Sequence, residues 1–150
     1  MNKQLVFDKV SKHLLTQNKR CESETPFNVS CKYRKGDLKC AIGALIDDEE
    51  YIPVMDNLRL LREEYGCTAN TVVQSNPLVL SIIKRKYGEF VENDIFFLKS
   101  LQKIHDVSDV NEWKVNLLSL AQQYGLRTNV LNNLEEVTES KTRIFLAQYE

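Results

Sequence analysis

The sequence predicts a mainly α fold: a single compact domain of five or six helices, with one short β-hairpin near residues 31–40. Three observations carry this expectation. Apolar residues recur at helical spacing, as in Val6, Phe7, Val10 and Leu14. One segment is framed by start and stop signals: Ser75-Asn76-Pro77 opens it, and Lys84-Arg85-Lys86-Tyr87-Gly88 closes it. Three segments end in Tyr-Gly, at Gly66, Gly88 and Gly125, where glycine tolerates the positive φ of a helix cap. The intervals between these glycines are unequal, so the chain is not a repeat array.

Each element follows in order. Residues 2–18 read as an amphipathic helix, with Val6, Phe7, Val10, Leu14 and His13 inward and Lys3, Asp8, Lys9, Lys12 and Gln17 mostly elsewhere. Residues 18–30 are polar, contain Pro26 and lack a period, which predicts a surface loop. Residues 31–34 predict a short strand, with Lys35-Gly36-Asp37 as its turn. In the apolar run 39–46, Ala41, Ala44 and Leu45 favour helix over strand. Asp47 or Asp48 would cap a further turn through Glu50. Residues 57–66 predict a helix with Asn57 as N-cap and Gly66 after its end. Residues 93–106 predict another, with Ile95, Leu98, Leu101 and Ile104 inward. Asp109 or Asn111 opens the next, which runs through Trp113, Leu117, Leu120, Ala121 and Tyr124 to Gly125. Residues 1–127 are read as the domain and 128–150 as an extension. Its apolar end, Ile144 to Tyr149, would dock on the domain or on a second chain.

Composition bounds the function. A chain of 150 residues fits one domain. Such a chain buries about two-thirds of its unfolded surface, so folding requires no metal or disulfide. The net charge of −1 argues against a general nucleic-acid binder, though it permits a local basic patch. No apolar run approaches the ~20 residues that span a bilayer. The first residues, MNKQLVFDKV, lack the apolar core of a signal peptide. Cys21, Cys31, Cys40 and Cys67 are therefore read as reduced thiols of a cytoplasmic protein.

Several residue groups bear on chemistry. Cys31 and Cys40 are too far apart for the paired ligands of a structural zinc site, so neither metal nor cofactor is expected. Cys40 would lie near the positive end of a helix over 39–46, which favours thiolate, and His105 with Asp106 or Asp109 could act as its base. Lys32, Arg34, Lys35 and Lys39 crowd around Gly36. A glycine turn leading to a helix start favours bound phosphate, with Arg34 as a bidentate donor and Tyr33 as a stacking surface. The pattern is not a P-loop, because GxxxxGK[ST] is absent. Asp47, Asp48, Glu49 and Glu50 read as a solvated acidic helix start. His105 reads most simply as a partly buried ring held by a carboxylate or carbonyl.

Two motif sets carry a resemblance to a known group. Cys31-x-Tyr33-Arg34, then Lys39-Cys40-Ala41-x-Gly43-x-Leu45-Ile46-x-Asp48 and Tyr51, resembles small uncharacterised bacterial and phage proteins. FDKVSKHLLTQ, LQKIHD, Trp113 and LAQQYGL are similar to further marks of that group, and together they cover most of residues 5–126. The resemblance implies a small, mostly helical, cytoplasmic protein and no activity. The expected function is a binding module that holds an anionic, nucleotide-like ligand through Arg34, Lys39, Tyr33, His13, Arg20 and His105, or that blocks a host defence protein. One alternative is a Cys-His hydrolase or transferase on Cys40 and His105. The other is a protein–protein inhibitor that uses the tail, and a homo-oligomer would fit the same apolar end. The absence of a catalytic motif leans the reading away from an enzyme.

Overall fold

A computed structural model describes residues 1–25, 28–57, 76–91 and 93–132. The fold is mainly helical, with short antiparallel hairpins. Helix α1 spans Lys3–Gln17 and starts where the Asn2 side chain accepts the Leu5 N–H. It stops at Asn18, which takes the left-handed conformation that asparagine tolerates. Strands β1 (Glu22–Thr25) and β2 (Asn28–Cys31) pair antiparallel. The loop expected over 18–30 is thus a hairpin. The first strand, Glu22-Ser23-Glu24-Thr25, has no apolar alternation for a periodicity reading to detect. Strands β3 (Arg34–Lys35) and β4 (Leu38–Lys39) form the second hairpin, where the sequence places it, turned at Gly36 and Asp37.

The run 39–46 is not the expected α-helix. It is a turn that tightens into a 3₁₀ segment at Gly43–Leu45. Two contacts explain the difference. The Ile42 amide donates out of the segment, to Gln102 Oε1 at 3.0 Å. The Gly43 amide donates to Cys40 Sγ at 3.2 Å. Gly43 is held by space, not by dihedral: a Cβ there would lie 2.2 Å from the Tyr33 carbonyl oxygen. Gly36 is the opposite case, with φ at +59° and open surroundings. Gly43→Ala should therefore cost about 1–3 kcal/mol in urea unfolding. Gly36→Asn should cost less than about 1 kcal/mol, because asparagine accepts that conformation. Equal costs would contradict this division.

Helix α2 covers Val54–Asn57, so Asn57 lies within a helix and is not the N-cap expected. The rest of the helix predicted over 57–66 lies outside the described residues, as does the tail end Ile144 to Tyr149. Helix α3 (Pro77–Tyr87) carries the features read from sequence: Asn76 caps it, Pro77 opens it and Gly88 closes it over three basic residues. Helix α4 spans Asp94–Val107. A 3₁₀ turn at Val110–Glu112 leads into helix α5, Trp113–Tyr124, which ends at left-handed Gly125.

The core lies where α1 packs on α4, α5 and the Gly43 turn. Val6, Phe7, Val10 and Leu14 meet Phe97, Leu98, Leu101, Trp113, Leu117 and Ala121, with Ile42, Leu45 and Ile46 beside them. Packing continues past Arg127, since residues 129–132 are helical and Leu131 is buried. At the other end, Asp94 is buried against Lys3 at 2.5 Å and the Met1 ammonium at 3.2 Å. Burial raises the Asp94 pKa, but Lys3, the Val91 amide and that ammonium outweigh it and leave the carboxyl below its ordinary value. Among the described residues, no helix is long and apolar enough to cross a membrane.

Candidate functional site

The two cations at the centre of the basic turn already have an anion. Arg34 and Lys39 are register partners across the second hairpin, and both reach Asp48 Oδ1, Lys39 at 3.3 Å. Arg34 also donates to the Ile46 carbonyl at 2.6 Å and lies over the Tyr51 ring, 5.0 Å from its centroid. The hydrogen bond from Arg34, then that from Lys39, holds the Asp48 carboxyl below the usual carboxylate range. This side of the segment therefore ties the hairpin to the acidic turn that follows it. The acidic run is itself engaged: Asp47 pairs with Lys9 and Lys86, and Glu50 with Arg85 and Lys86. It is a cross-linked turn and not the helix start that the sequence suggests, while Asp47, Asp48 and Glu49 are exposed as expected.

Tyr33 is fully buried, so its ring is not offered to a bound base. Its amide donates to Asp56 Oδ1 at 2.8 Å, and Tyr51 donates its hydroxyl to the other oxygen of the same carboxylate. Burial, then that bond to Asp56, raises the Tyr51 pKa. His13 donates from Nε2 to the Lys39 carbonyl at 3.0 Å. Gln17 brackets the same peptide, accepting the Lys39 N–H and donating to the Lys39 carbonyl, both at 2.9 Å. The last turns of α1 thus position the hairpin. Burial lowers the His13 pKa, and the bond to Lys39 opposes it in part.

His105 is fully buried, more than the partly buried ring the sequence suggests, and both of its ring nitrogens are engaged. Nε2 lies 2.9 Å from the Cys21 amide, which has only a proton to give, so Nε2 is the acceptor. The ring proton is then on Nδ1, 2.7 Å from Asp106 Oδ1. Gln102 donates to the same carboxylate oxygen at 2.8 Å. Trp113 stacks on the ring, with centroids 5.6 Å apart. Neither nitrogen is left to take a proton from the Cys40 thiol. Cys40 is buried and receives the Gly43 amide, so the pair expected from sequence does not form a nucleophile and its base here.

A different group of cations is open. Lys19, Arg20, Glu22, Lys35 and Leu38 line a cleft of about 310 Å³ between the end of α1 and the second hairpin. Arg20 is anchored in its wall, with Nε donating to the His105 carbonyl at 3.2 Å and Nη2 to the Ser108 carbonyl. Among the described residues, neither Lys19 nor Lys35 makes an ion pair. Sequence reasoning singled out Arg20 and noted Lys35 in the basic turn, but missed Lys19. Its only signal was its place beside Arg20, just after the helix end at Asn18. Among the described residues, no cluster of three His, Cys, Asp or Glu side chains could hold a metal ion.

These features define a small helical protein with a basic cleft, its motif residues used for packing and pairing. No protein-family model matches the chain, and no significant match is found among curated proteins or solved structures.

Proposed function

We propose that the protein is a binding module that takes a small anionic ligand, nucleotide-like in its phosphate charge, in the cleft of Lys19, Arg20 and Lys35. The absence of ion pairs at Lys19 and Lys35 among the described residues carries this reading, since Arg34 and Lys39 would have to give up Asp48 to hold a ligand. Two ammonium groups act as point charges on a phosphate, and Arg20 has donors left beyond those spent on carbonyls. Leu38 supplies an apolar wall, and Glu22 can accept hydrogen bonds from ligand hydroxyls. The volume sits at the small end of ligand sites, which run from about 300 Å³ upward. Set in a bacterium or phage, capture of this kind would withhold a nucleotide from a host defence system. That last step rests on the motif resemblance alone.

Titration calorimetry with pyrophosphate and a panel of nucleotides tests the site. Each of Lys19→Ala and Lys35→Ala should weaken binding about tenfold. The melting temperature should stay unchanged, because both side chains are outside the core. Arg34→Ala is a poor test, since it also removes the bonds to Asp48 and Ile46. Absence of binding by every phosphate-bearing ligand would overturn the proposal, as would a Lys19/Lys35 double variant that binds like the wild type.

A further inference from the structure

We infer that the ligand of the basic cleft is a ribonucleoside monophosphate, with its phosphate on Lys19, Arg20 and Lys35 and its sugar diol on Glu22; this rests on the cleft being the binding site. Four charged side chains line the cleft, and one of them has the wrong sign for an anion. Among the described residues, Glu22 makes no ion pair with Lys19, Arg20 or Lys35. The backbone explains why these groups stay apart. Cys21 pins the peptide before Glu22: its amide donates to His105 Nε2 at 2.9 Å, its carbonyl accepts the Lys32 amide at 3.1 Å, and its Sγ donates to the Leu38 carbonyl at 3.3 Å. Glu22 then pairs with Cys31 across the first hairpin, while Lys35 pairs with Leu38 in the second. Arg20 is tied to the His105 and Ser108 carbonyls. Each of Arg20, Glu22 and Lys35 thus has its own anchor, and the cleft stays open between them. Charges of both signs held apart call for a ligand that carries an anionic group and a hydrogen-bond donor together.

Charge decides between the candidates. Three cations against one carboxylate leave a surplus of two positive charges. A phosphate monoester carries about −1.5 to −2 at pH 7, which matches that surplus. A zwitterion such as an amino acid would meet Glu22 with its ammonium but would bring no net charge against the surplus. Hydroxyl donors add no positive charge, and a carboxylate accepts them at both oxygens. Ribose offers two such hydroxyls side by side, and an acidic side chain holds the ribose 2′-hydroxyl at dinucleotide sites. Among the described residues, no aromatic ring lines the cleft, so base stacking is not offered there. The sugar therefore carries the selectivity, and Leu38 gives the base an apolar contact that does not read its identity.

The probes are adenosine 5′-monophosphate, its 2′-deoxy and 3′-deoxy analogues, and pyrophosphate, titrated by calorimetry at low ionic strength and about pH 7.5. Wild type should bind adenosine monophosphate about tenfold more tightly than either deoxy analogue, the difference expected for one hydrogen bond to a charged acceptor. Glu22→Ala should bring the three nucleotides within about twofold of one another. The same variant should tighten pyrophosphate binding about twofold, because a repelling charge has gone. Equal binding of all three nucleotides by wild type, with pyrophosphate still bound through Lys19 and Lys35, would overturn the inference and leave the cleft as the anion site. That comparison needs no variant. A ribose preference that persists in Glu22→Ala would also overturn it. So would pyrophosphate binding that weakens in Glu22→Ala, since Glu22 would then hold the shape of the cleft and not read a sugar. If neither the nucleotides nor pyrophosphate bind wild type, the inference and the cleft fall together.

Discussion

Replacing Trp113 with alanine should lower the unfolding free energy by about 3–5 kcal/mol. Trp113 opens α5 and is the largest of the fully buried side chains. Its ring fills the space between that helix and α4, where it stacks on His105 at 29° between ring planes. Alanine removes the apolar area and leaves a cavity that the helix ends cannot collapse without disturbing the His105 bonds. Trp113 is also the only tryptophan, so urea unfolding is best followed by far-ultraviolet circular dichroism, not by fluorescence. Trp113→Phe keeps most of the ring area and should cost less than half as much. An alanine variant within about 1 kcal/mol of wild type would show that the ring is not packed as described.

Gln102→Leu should cost about 2–5 kcal/mol, although the volumes are similar. Gln102 is fully buried and bonds in two directions. Its Oε1 accepts the Ile42 amide at 3.0 Å, and its Nε2 donates to Asp106 at 2.8 Å. Leucine fills the space but leaves a buried amide without its acceptor and removes a donor from a carboxylate. Each such loss costs about 1–3 kcal/mol. The Ile42 amide should also lose hydrogen-exchange protection, which separates this cause from a packing defect. A leucine variant of wild-type stability would mean that the two bonds make no net contribution to the fold.

The same residues show which parts of the molecule were legible beforehand. The limits of α1, α3 and α4 and the end of α5 follow the caps and apolar periods, because both signals are local; α5 starts at Trp113, after a 3₁₀ turn, and not at Asp109 or Asn111 as expected. Asn2, Asn76-Pro77, Gly88 and Gly125 stand where the helices start and stop. The second hairpin was legible from Lys35-Gly36-Asp37 for the same reason. The run 39–46 was misread because its propensity favours helix. That local preference loses to a bond between Ile42 and a glutamine 60 residues away, and to the fit of Gly43 against Tyr33. The first hairpin escaped notice because Glu22-Ser23-Glu24-Thr25 offers no apolar alternation to read.

The candidate site was legible only by composition. The sequence showed that basic residues crowd the stretch between Lys19 and Lys39, and that His105-Asp106 follows a helical face. It could not show which cations are spent. Arg34 and Lys39 were the obvious choices because they flank a glycine turn, yet they face Asp48. Among the described residues, Lys19 and Lys35 face the cleft without an ion pair, although Lys35 stands directly beside the same glycine.

By itself, then, the amino-acid sequence determined a mainly α chain, the limits of three helices, the end of a fourth and the presence of a local basic cluster. Each depends on neighbours within about one or two helical turns. Tertiary structure alone decided that Tyr33 is buried, that Asp48 pairs with Arg34 and Lys39, and that His105 receives the Cys21 amide from 84 residues away. The physical reason is that charge and hydrogen-bond capacity are properties of side chains, whereas their remaining availability to a ligand depends on what the fold has placed against them.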